Sequence, residues 1–266
     1  MNLLLLWKAF PDMGLMVKSI RVYLFIILIL PVCTGQSSIN DSLVISGMKF
    51  LGKPYRSGTI ESVDFEKCII QDQFFDCYTF VERALAETLD PKHPEDKILQ
   101  LRYREGKVDG YCSRLHYLSD WLLTQIKNKV LKDVTFGIPG ATEIQFQLNF
   151  MSKHPQLYPA MLRDKCQDEI KSIEAEVSKR KFYSISKSAL DPALPYIKNG
   201  DLIAITTHKK GLDFSHVGIA VVKNGVPYLL HASSDQKKVT ISKNSLKEYL
   251  KRNRLQTGIA VFRLVE

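Results

Sequence analysis

Residues 216–233 read HVGIAVVKNGVPYLLHAS, which is two apolar runs of strand length on either side of an Asn-Gly pair. The runs are His216–Val222 and Val226–Ser233, and Asn-Gly strongly favours the tight turn of an antiparallel hairpin. The stretch therefore predicts two paired strands. Counting outward from the turn at Asn224, His216 and His231 are expected almost opposite each other on one sheet.

Three further apolar runs in the C-terminal part of the chain have the length of strands. They read GDLIAITT (200–207), KKVTIS (237–242) and TGIAVFRLV (257–265). The sequence Ser245-Leu246-Lys247-Glu248 between the last two has the pattern of a helix capping box. The back half is thus predicted to be an antiparallel sheet of about five strands.

The front half has helical rather than strand periodicity. Apolar residues recur at helical spacing from Cys77 to Leu89, with Asp76 or Thr79 as the expected N-cap. Other helices are expected at 41–51, 113–131 and 163–180. Packing these helices on the sheet gives an α+β fold, a single domain from residue 36 to residue 266, with a large helical insertion at about 90–196.

Composition narrows the class of protein. The chain has 266 residues, 45% of them hydrophobic and 24% charged, which excludes a collagen, a disordered tail and a multi-span membrane protein. The formal net charge is +9. A basic balance suits an anionic partner, such as nucleic acid, lipid headgroups or an acidic cell-wall polymer, without choosing among them.

The N-terminus has the layout of a secretory signal. Lys18 and Arg21 precede the apolar run Val22–Val32, and small polar residues follow it. We expect residues 1–35 to be a signal peptide and the mature protein to be periplasmic or secreted. Acylation of Cys33, with attachment to the membrane, is the alternative, and translation from Met13 or Met16 remains open.

Export makes disulfides possible among Cys68, Cys77, Cys112 and Cys166. Their spacing fits two disulfides, and it fits equally one reactive thiol with the other cysteines buried as small hydrophobic residues. Cys77 stands out because it starts a helix directly after Asp76, where the helix dipole is expected to lower the pKa of its thiol. Paired with His216 and His231, it would have a base and a residue that orients the base. Taken singly, each of the three is more often a structural residue.

Four motifs in order resemble the NlpC-type papain-like cell-wall hydrolases. They are Gly52-x-Pro54-Tyr55-x-x-Gly58, Asp76-Cys77, His216-Val217-Gly218-Ile219-Ala220 and His231-Ala232-Ser233. The segments DCYTFVE (76–82), YCSRLHY (111–117) and DFSH (213–216) are similar to the N-acetylmuramoyl-L-alanine amidase-like branch. The resemblance runs from about residue 43 to residue 265.

The resemblance implies a papain-like α+β fold and hydrolysis of an amide in the peptide stem of peptidoglycan, with no metal or cofactor. Cys77 would be the nucleophile, His216 the base and acid, and His231 the residue that orients His216. Tyr55 would lie beside the oxyanion, where its hydroxyl assists the backbone amide of Cys77, and Asp76 is counted with it among the oxyanion- and substrate-binding residues. The insertion would wall the groove, where four side chains could meet stem carboxylates, namely Arg102, Arg104, Arg114 and His116. His154 is a further, weaker candidate for a groove residue. A solvated helix face is the other interpretation of these arginines.

Three functions stay open at this point. The first is an amidase that cuts between N-acetylmuramic acid and L-alanine, and the second is a γ-D-glutamyl-diaminopimelate endopeptidase of the same fold. The third is a non-catalytic protein that binds cell wall or muropeptides. Nucleic acid is not expected as a partner, because export argues against it and no nucleic-acid-binding signature is present.

Overall fold

The computed structural model describes residues 38–266, so the predicted signal peptide and Cys33 lie outside the described residues. Within this range the α+β prediction is confirmed. The described helices are α1 Ile39–Met48, α2 Cys77–Leu89, α3 Pro94–Arg102, α4 Leu118–Lys127, α5 Phe150–Lys153, α6 Pro159–Arg163, α7 Gln167–Ser178, α8 Leu190–Ala193 and α9 Leu246–Arg252. Short 3₁₀ turns lie at Arg104–Gly106, Tyr111–Ser113, Thr135–Gly137, Pro155–Leu157, Lys187–Ala189 and Leu194–Tyr196. None of the helices in this range is long and apolar enough to span a membrane.

Within residues 38–266 the sheet has eight strands rather than the expected five. The strands are β1 Leu131–Asp133, β2 Ala141–Gln145, β3 Lys181–Ser186, β4 Leu202–Thr207, β5 Phe214–Lys223, β6 Val226–Ser233, β7 Lys238–Ile241 and β8 Gln256–Leu264. They are paired antiparallel in the order β2-β3-β8-β4-β5-β6-β7, and β1 also pairs with β8. The five strands predicted for the back half are β4 to β8.

The three additional strands come from residues 90–196, which we expected to be a helical insertion. Strand β8 pairs with β4 along one edge, and its other edge is covered by β1 and β3. Unpaired edges expose backbone donors and acceptors, so a long edge strand is stabilised when another segment covers it. Strands β1 and β3 are too short or too mixed in pattern to stand out from the surrounding sequence.

Apolar side chains from both faces of the sheet form two cores. Leu202 and Ala204 of β4 face the larger core under α1 and α2, while Ile203 and Ile205 face the smaller one under α8 and α9. Alternation along a strand sends successive side chains to opposite faces. Burial on both faces explains why β4 reads as a continuous apolar run rather than an alternating one.

The hairpin β5–β6 turns where predicted. Asn224 and Gly225 have φ angles of 50° and 78°, which are the positive values that a two-residue turn of this kind requires. The predicted helix 113–131 is shorter than expected, since α4 begins only at Leu118. The predicted helix 163–180 is divided between the end of α6 and α7 by a turn in which Lys165 has a φ of 55°.

Cys112 and Cys166 form a disulfide, while Cys68 and Cys77 are free thiols. The bond joins the 3₁₀ turn Tyr111–Ser113 to the residue before α7. Neither of the two expected arrangements is therefore present: among residues 38–266 there is one disulfide, and two cysteines remain free thiols.

Candidate active site

Cys77 is the first residue of α2, and Asp76 fixes the start of that helix. The Asp76 carboxylate accepts a hydrogen bond of 2.8 Å from the Thr79 backbone amide, and the Thr79 hydroxyl accepts one of 3.0 Å from the Asp76 amide. This reciprocal capping box satisfies backbone donors that the first helical turn leaves unpaired. The predicted helix start and its Asp76 cap are therefore confirmed, and they hold the thiol at the N-terminal end of α2.

Tyr55 is held beside Cys77 by backbone pairing of its loop. The Phe75 amide donates to the Pro54 carbonyl at 3.0 Å, and the Arg56 amide donates to the Phe75 carbonyl at 3.0 Å. Burial, followed by the nearness of the ionisable side chains of Cys77 and Asp76, raises the pKa of the Tyr55 hydroxyl. Tyr55 therefore remains a protonated donor at neutral pH.

His216 and His231 lie side by side on the sheet. His216 Nε2 and His231 Nδ1 are 2.6 Å apart, and the two rings are nearly perpendicular. The pairing of β5 with β6 places Ile219 opposite Leu230. His216 is therefore displaced by two positions from His231 rather than directly opposite it. A displacement of two keeps both side chains on the same face, so the rings meet diagonally.

Tyr249 of α9 lies against both imidazoles, with ring centroids 6.4 Å from His216 and 5.3 Å from His231. The His231 side chain is fully buried, and its Nε2 atom finds no hydrogen-bond partner among residues 38–266. Burial lowers the pKa of His216 to about 3 and that of His231 to about 4. Both rings are therefore neutral at pH 7, and one donates to the other.

The expectation of a lowered thiol pKa is wrong for this site. Loss of solvent around Cys77, followed by the charge of Asp76, raises the pKa of the thiol to about 12. Hydrogen bonds from the backbone amides of Val217 and Tyr78 act in the opposite direction but are the smaller effects. A helix N-terminus stabilises a thiolate by a limited amount, and burial outweighs it here. The resting cleft therefore holds a thiol and a neutral imidazole.

Thiol alkylation tests this resting state. Because the pKa of Cys77 is raised, the thiolate fraction at pH 7 should be about 10³-fold lower than for an ordinary thiol. We expect the iodoacetamide reaction of Cys77 to be slower than that of glutathione at pH 7 and to accelerate up to at least pH 9. The rate is measured by mass spectrometry of the Cys77 peptide, and a rate that is already constant between pH 5 and pH 7 would contradict the prediction.

Cys77 and His216 line one cleft of about 330 Å³. The 111–117 segment, the loop before α2 and the start of β5 form its walls. The other lining residues are Gly58, Ile60, Glu61, Asp76, Tyr78, Tyr111, Arg114, Leu115, His116, Tyr117, Leu118, Met151, Tyr158, Leu212, Asp213, Phe214, Ser215 and Val217. Residues of the segment 90–196 thus form much of the wall of this cleft. Nowhere in residues 38–266 are three His, Cys, Asp or Glu side chains grouped as metal ligands.

Arg114 and His116 reach this cleft, but each already has partners. The Arg114 guanidinium is paired with Glu61 and Glu66. His116 Nε2 lies 2.8 Å from the Tyr111 carbonyl oxygen, which can only accept, so that nitrogen carries the proton. Burial lowers the pKa of His116 to about 3. The neutral ring therefore has only Nδ1 left, as a hydrogen-bond acceptor.

Three other predicted groove residues lie elsewhere. The Arg102 guanidinium is buried, pairs with Glu82 and donates to the Ile69 carbonyl. Arg104 pairs with Asp120 outside the cleft, and His154 Nδ1 lies 2.8 Å from the Phe150 carbonyl oxygen. Glu82 and Asp120 neutralise the two arginines, so neither of these cations is available to a ligand in the cleft.

Sequence reasoning missed two carboxylates in the cleft wall. Glu61 lies in the loop before α2, and only its nearness in sequence to the Gly52–Gly58 motif could have marked it. Asp213 is buried and accepts hydrogen bonds from the backbone amides of Ser119 at 2.7 Å and Phe214 at 2.6 Å. Asp213 thereby ties the start of α4 to the strand that carries His216, and its place directly before Phe214-Ser215-His216 was a usable signal.

A family model described as N-acetylmuramoyl-L-alanine amidase-like matches residues 45–259 of this chain. A solved N-acetylmuramoyl-L-alanine amidase from Bacteroides uniformis is 39% identical, with a TM-score of 0.81 over 86% of this chain and 99% of that one. No curated protein matches the chain.

Two further solved structures resemble it. One, described as a putative xylanase from Bacteroides fragilis, is 40% identical, with a TM-score of 0.77 over 83% of this chain and 99% of that one. The other, from Legionella pneumophila, is 24% identical, with a TM-score of 0.69 over 86% of this chain and 90% of that one. At that identity the second likeness concerns the fold alone.

Proposed function

This chain belongs to the N-acetylmuramoyl-L-alanine amidase-like family, and from that premise we propose that it is a cysteine amidase with an NlpC-type papain-like fold. Its substrate is the peptidoglycan stem, and the bond it hydrolyses joins the lactyl group of N-acetylmuramic acid to L-alanine. The observation that carries the proposal is the grouping of Cys77 and His216 in one cleft. His216 Nε2 lies 2.6 Å from His231 Nδ1, so the second imidazole can orient the first.

The first half of the reaction forms a thioester. As the Cys77 sulfur attacks the lactyl carbonyl carbon, its proton passes to His216, and the carbonyl oxygen becomes an oxyanion. The Cys77 backbone amide and the Tyr55 hydroxyl donate to this oxyanion. When the intermediate collapses, the carbon–nitrogen bond breaks, and His216 returns the proton to the departing L-alanine nitrogen.

Water completes the cycle. His216 removes a proton from a water molecule, the hydroxide adds to the thioester carbon, and the carbon–sulfur bond breaks. The lactyl group leaves as a carboxylic acid and the Cys77 thiol is restored, so one water is consumed for each amide bond cut. A neutral His216 suits both halves, because it must accept a proton at the start of each.

His231 orients the base in this scheme. With the proton of His216 on Nε2 and directed at His231 Nδ1, the lone pair of His216 Nδ1 is left to accept the proton of the thiol. His231 then carries its own proton on Nε2, the atom that has no partner in the structure. Tyr249 packs against both rings and limits their rotation.

The site of action is part of the proposal. We infer export through residues 1–35 to the periplasm or the medium, with lipid attachment at Cys33 as the alternative. The Cys112–Cys166 disulfide supports an oxidising compartment. The basic net charge of the chain is compatible with an acidic wall polymer.

Product analysis tests the bond assignment. The mature protein is incubated with a purified disaccharide-tetrapeptide, and the products are weighed by mass spectrometry. We expect free tetrapeptide and a disaccharide that ends in the lactyl carboxyl group. A disaccharide that still carries L-Ala-D-Glu would instead make the protein an endopeptidase, and intact substrate after prolonged incubation would contradict hydrolysis altogether.

A further inference from the structure

Arg114 is a buried cation in the cleft wall, and most of its guanidinium is fixed. Its side chain is 4% exposed, and its Cζ lies 4.8 Å from the Tyr111 ring centroid. Nε and Nη2 contact the two carboxylate oxygens of Glu66 at 3.1 and 3.2 Å. Glu66 is itself buried and accepts a hydrogen bond of 2.6 Å from the Tyr103 hydroxyl. This side of Arg114 is a permanent part of the wall.

The adjacent edge of the guanidinium, formed by Nη1 and Nη2, is covered by a second carboxylate, which is exposed rather than buried. Glu61 accepts from Arg114 Nη1 at 2.9 Å and from Nη2 at 3.2 Å, the two-pronged geometry in which arginine binds a carboxylate. The Glu61 side chain is 49% exposed. One guanidinium is therefore shared by an anchored carboxylate and an exposed one, and both Arg114 and Glu61 line the cleft that holds Cys77.

We infer that Glu61 is a place-holder for a carboxylate of the substrate, which displaces Glu61 from Arg114 on binding. Since this rests on the proposed function, the ligand is a peptide stem whose second residue is D-glutamate with a free α-carboxylate. That carboxylate lies two residues beyond the scissile carbonyl, a span of at most about 7 Å in an extended chain. A stem with D-isoglutamine, whose α-carboxyl group is an amide, is the disfavoured substrate.

The charges that line the cleft and the solvent exposure of Glu61 explain why a substrate carboxylate can displace Glu61 from Arg114. Arg114 is the only lysine or arginine among the cleft-lining residues of the described chain, and the lining histidines have lowered pKa values and are neutral. Glu61 and Glu66 together already exceed its charge, so a third carboxylate is repelled unless one leaves. The Glu61 side chain is half exposed, so its carboxylate can move into water at small cost, while the incoming carboxylate replaces it as the partner of the buried guanidinium.

Two N-acetylmuramoyl tripeptides test the inference. The second residue is D-glutamate in one tripeptide and D-isoglutamine in the other, and this is their only difference. In both, the γ-carboxyl group of the second residue is in peptide linkage to an L-lysine amide. Binding to the Cys77→Ala protein is measured by calorimetry, and hydrolysis by the wild type is measured separately. We expect about tenfold or greater preference for the D-glutamate form, which is the size of a charge-assisted hydrogen bond.

The Glu61→Gln variant is measured in the same two assays. It shows whether Glu61 competes with the substrate carboxylate for Arg114 or only forms part of the cleft wall. Loss of the competing charge should raise the preference for the D-glutamate form a further five- to tenfold, mainly through Kd and KM rather than kcat. Glu95→Gln is the matched control, because Glu95 is also an exposed partner of a buried arginine, Arg83, but lies outside the cleft.

The outcomes distinguish the two proposals. Equal affinity for the two tripeptides, or a Glu61→Gln preference no higher than the wild-type preference, would overturn the inference even if hydrolysis is confirmed. Selective binding of the D-glutamate form without hydrolysis by the wild type would support the inference and overturn the amidase proposal. Absence of both binding and hydrolysis would overturn both.

Discussion

Replacement of Cys77 by serine should lower kcat on the disaccharide-tetrapeptide by at least about 10⁴-fold, since removing the nucleophile of a catalytic unit leaves only residual rate enhancement. The serine hydroxyl is nearly the same size as the thiol, so α2 and its Asp76 cap should be retained. The serine hydroxyl holds its proton far more tightly than a thiol does. A neutral His216 with a lowered pKa is too weak a base to remove this proton readily. The measured quantity is the rate at which free tetrapeptide is released, monitored by mass spectrometry.

Cys68 provides the matched control for this substitution. It is the other free thiol among residues 38–266, is partly buried, and lies outside the cleft beside Arg102. Cys68→Ser should keep kcat within about threefold of the wild type, because a surface-adjacent polar replacement usually has a small effect. A Cys77→Ser protein with more than a tenth of the wild-type rate would exclude Cys77 as the nucleophile.

Replacement of His231 by leucine should lower kcat by about 10²–10³-fold, whereas His231→Asn should remain within about tenfold of the wild type. Leucine suits a fully buried position but cannot accept the hydrogen bond from His216 Nε2. The His216 ring then loses its fixed tautomer and orientation. Asparagine places an acceptor oxygen close to the position of Nδ1, so it can replace the lost contact.

Separate kcat and KM values, with a pH profile for each variant, distinguish orientation from packing. A positioning role predicts that the loss in His231→Leu falls on kcat, with KM changed little. Equal losses in the leucine and asparagine variants, alongside unchanged unfolding temperatures, would argue that His231 acts by its volume alone. A leucine variant within threefold of the wild type would remove His231 from the mechanism.

Local sequence signals were sufficient for the elements that carry the proposed nucleophile and base. The Asp76–Thr79 pattern predicted the start of α2, and its end at Leu89 agrees with the observed helix. Asn224-Gly225 fixed the β5–β6 turn, so both histidines were expected on one face of the sheet. These predictions succeeded because caps and tight turns depend on residues within four positions of each other.

The same local reasoning overestimated the influence of the helix dipole at Cys77. A helix start is visible in the sequence, but the amount of protein packed around a thiol is not. In the folded chain, residues from the front half and from β5 surround Cys77, and this loss of solvent raises its pKa. The sequence could name the thiol, while its protonation state depended on distant segments.

Only one of the three arginines that were candidates for the groove faces the cleft. Again, nothing in the local sequence around Arg102, Arg104 and Arg114 shows which of them it is, and their partners alone separate them. Glu82 and Asp120 hold the first two outside the cleft, whereas Glu61 and Glu66 hold the third in its wall. Ion pairs between residues 16 to 53 positions apart follow from chain topology, which no local pattern encodes.

The sequence by itself determined the α+β class, the helix that presents Cys77 and the hairpin that carries His216 and His231, because capping, turn geometry and apolar periodicity are short-range effects. Tertiary structure alone decided the strands that cover the edge of β8, the Cys112–Cys166 bond, the diagonal contact of the two imidazoles and the arginine that faces the cleft. Each of these depends on which distant segments become neighbours and exclude water from one another, and that is settled only when the whole core is assembled.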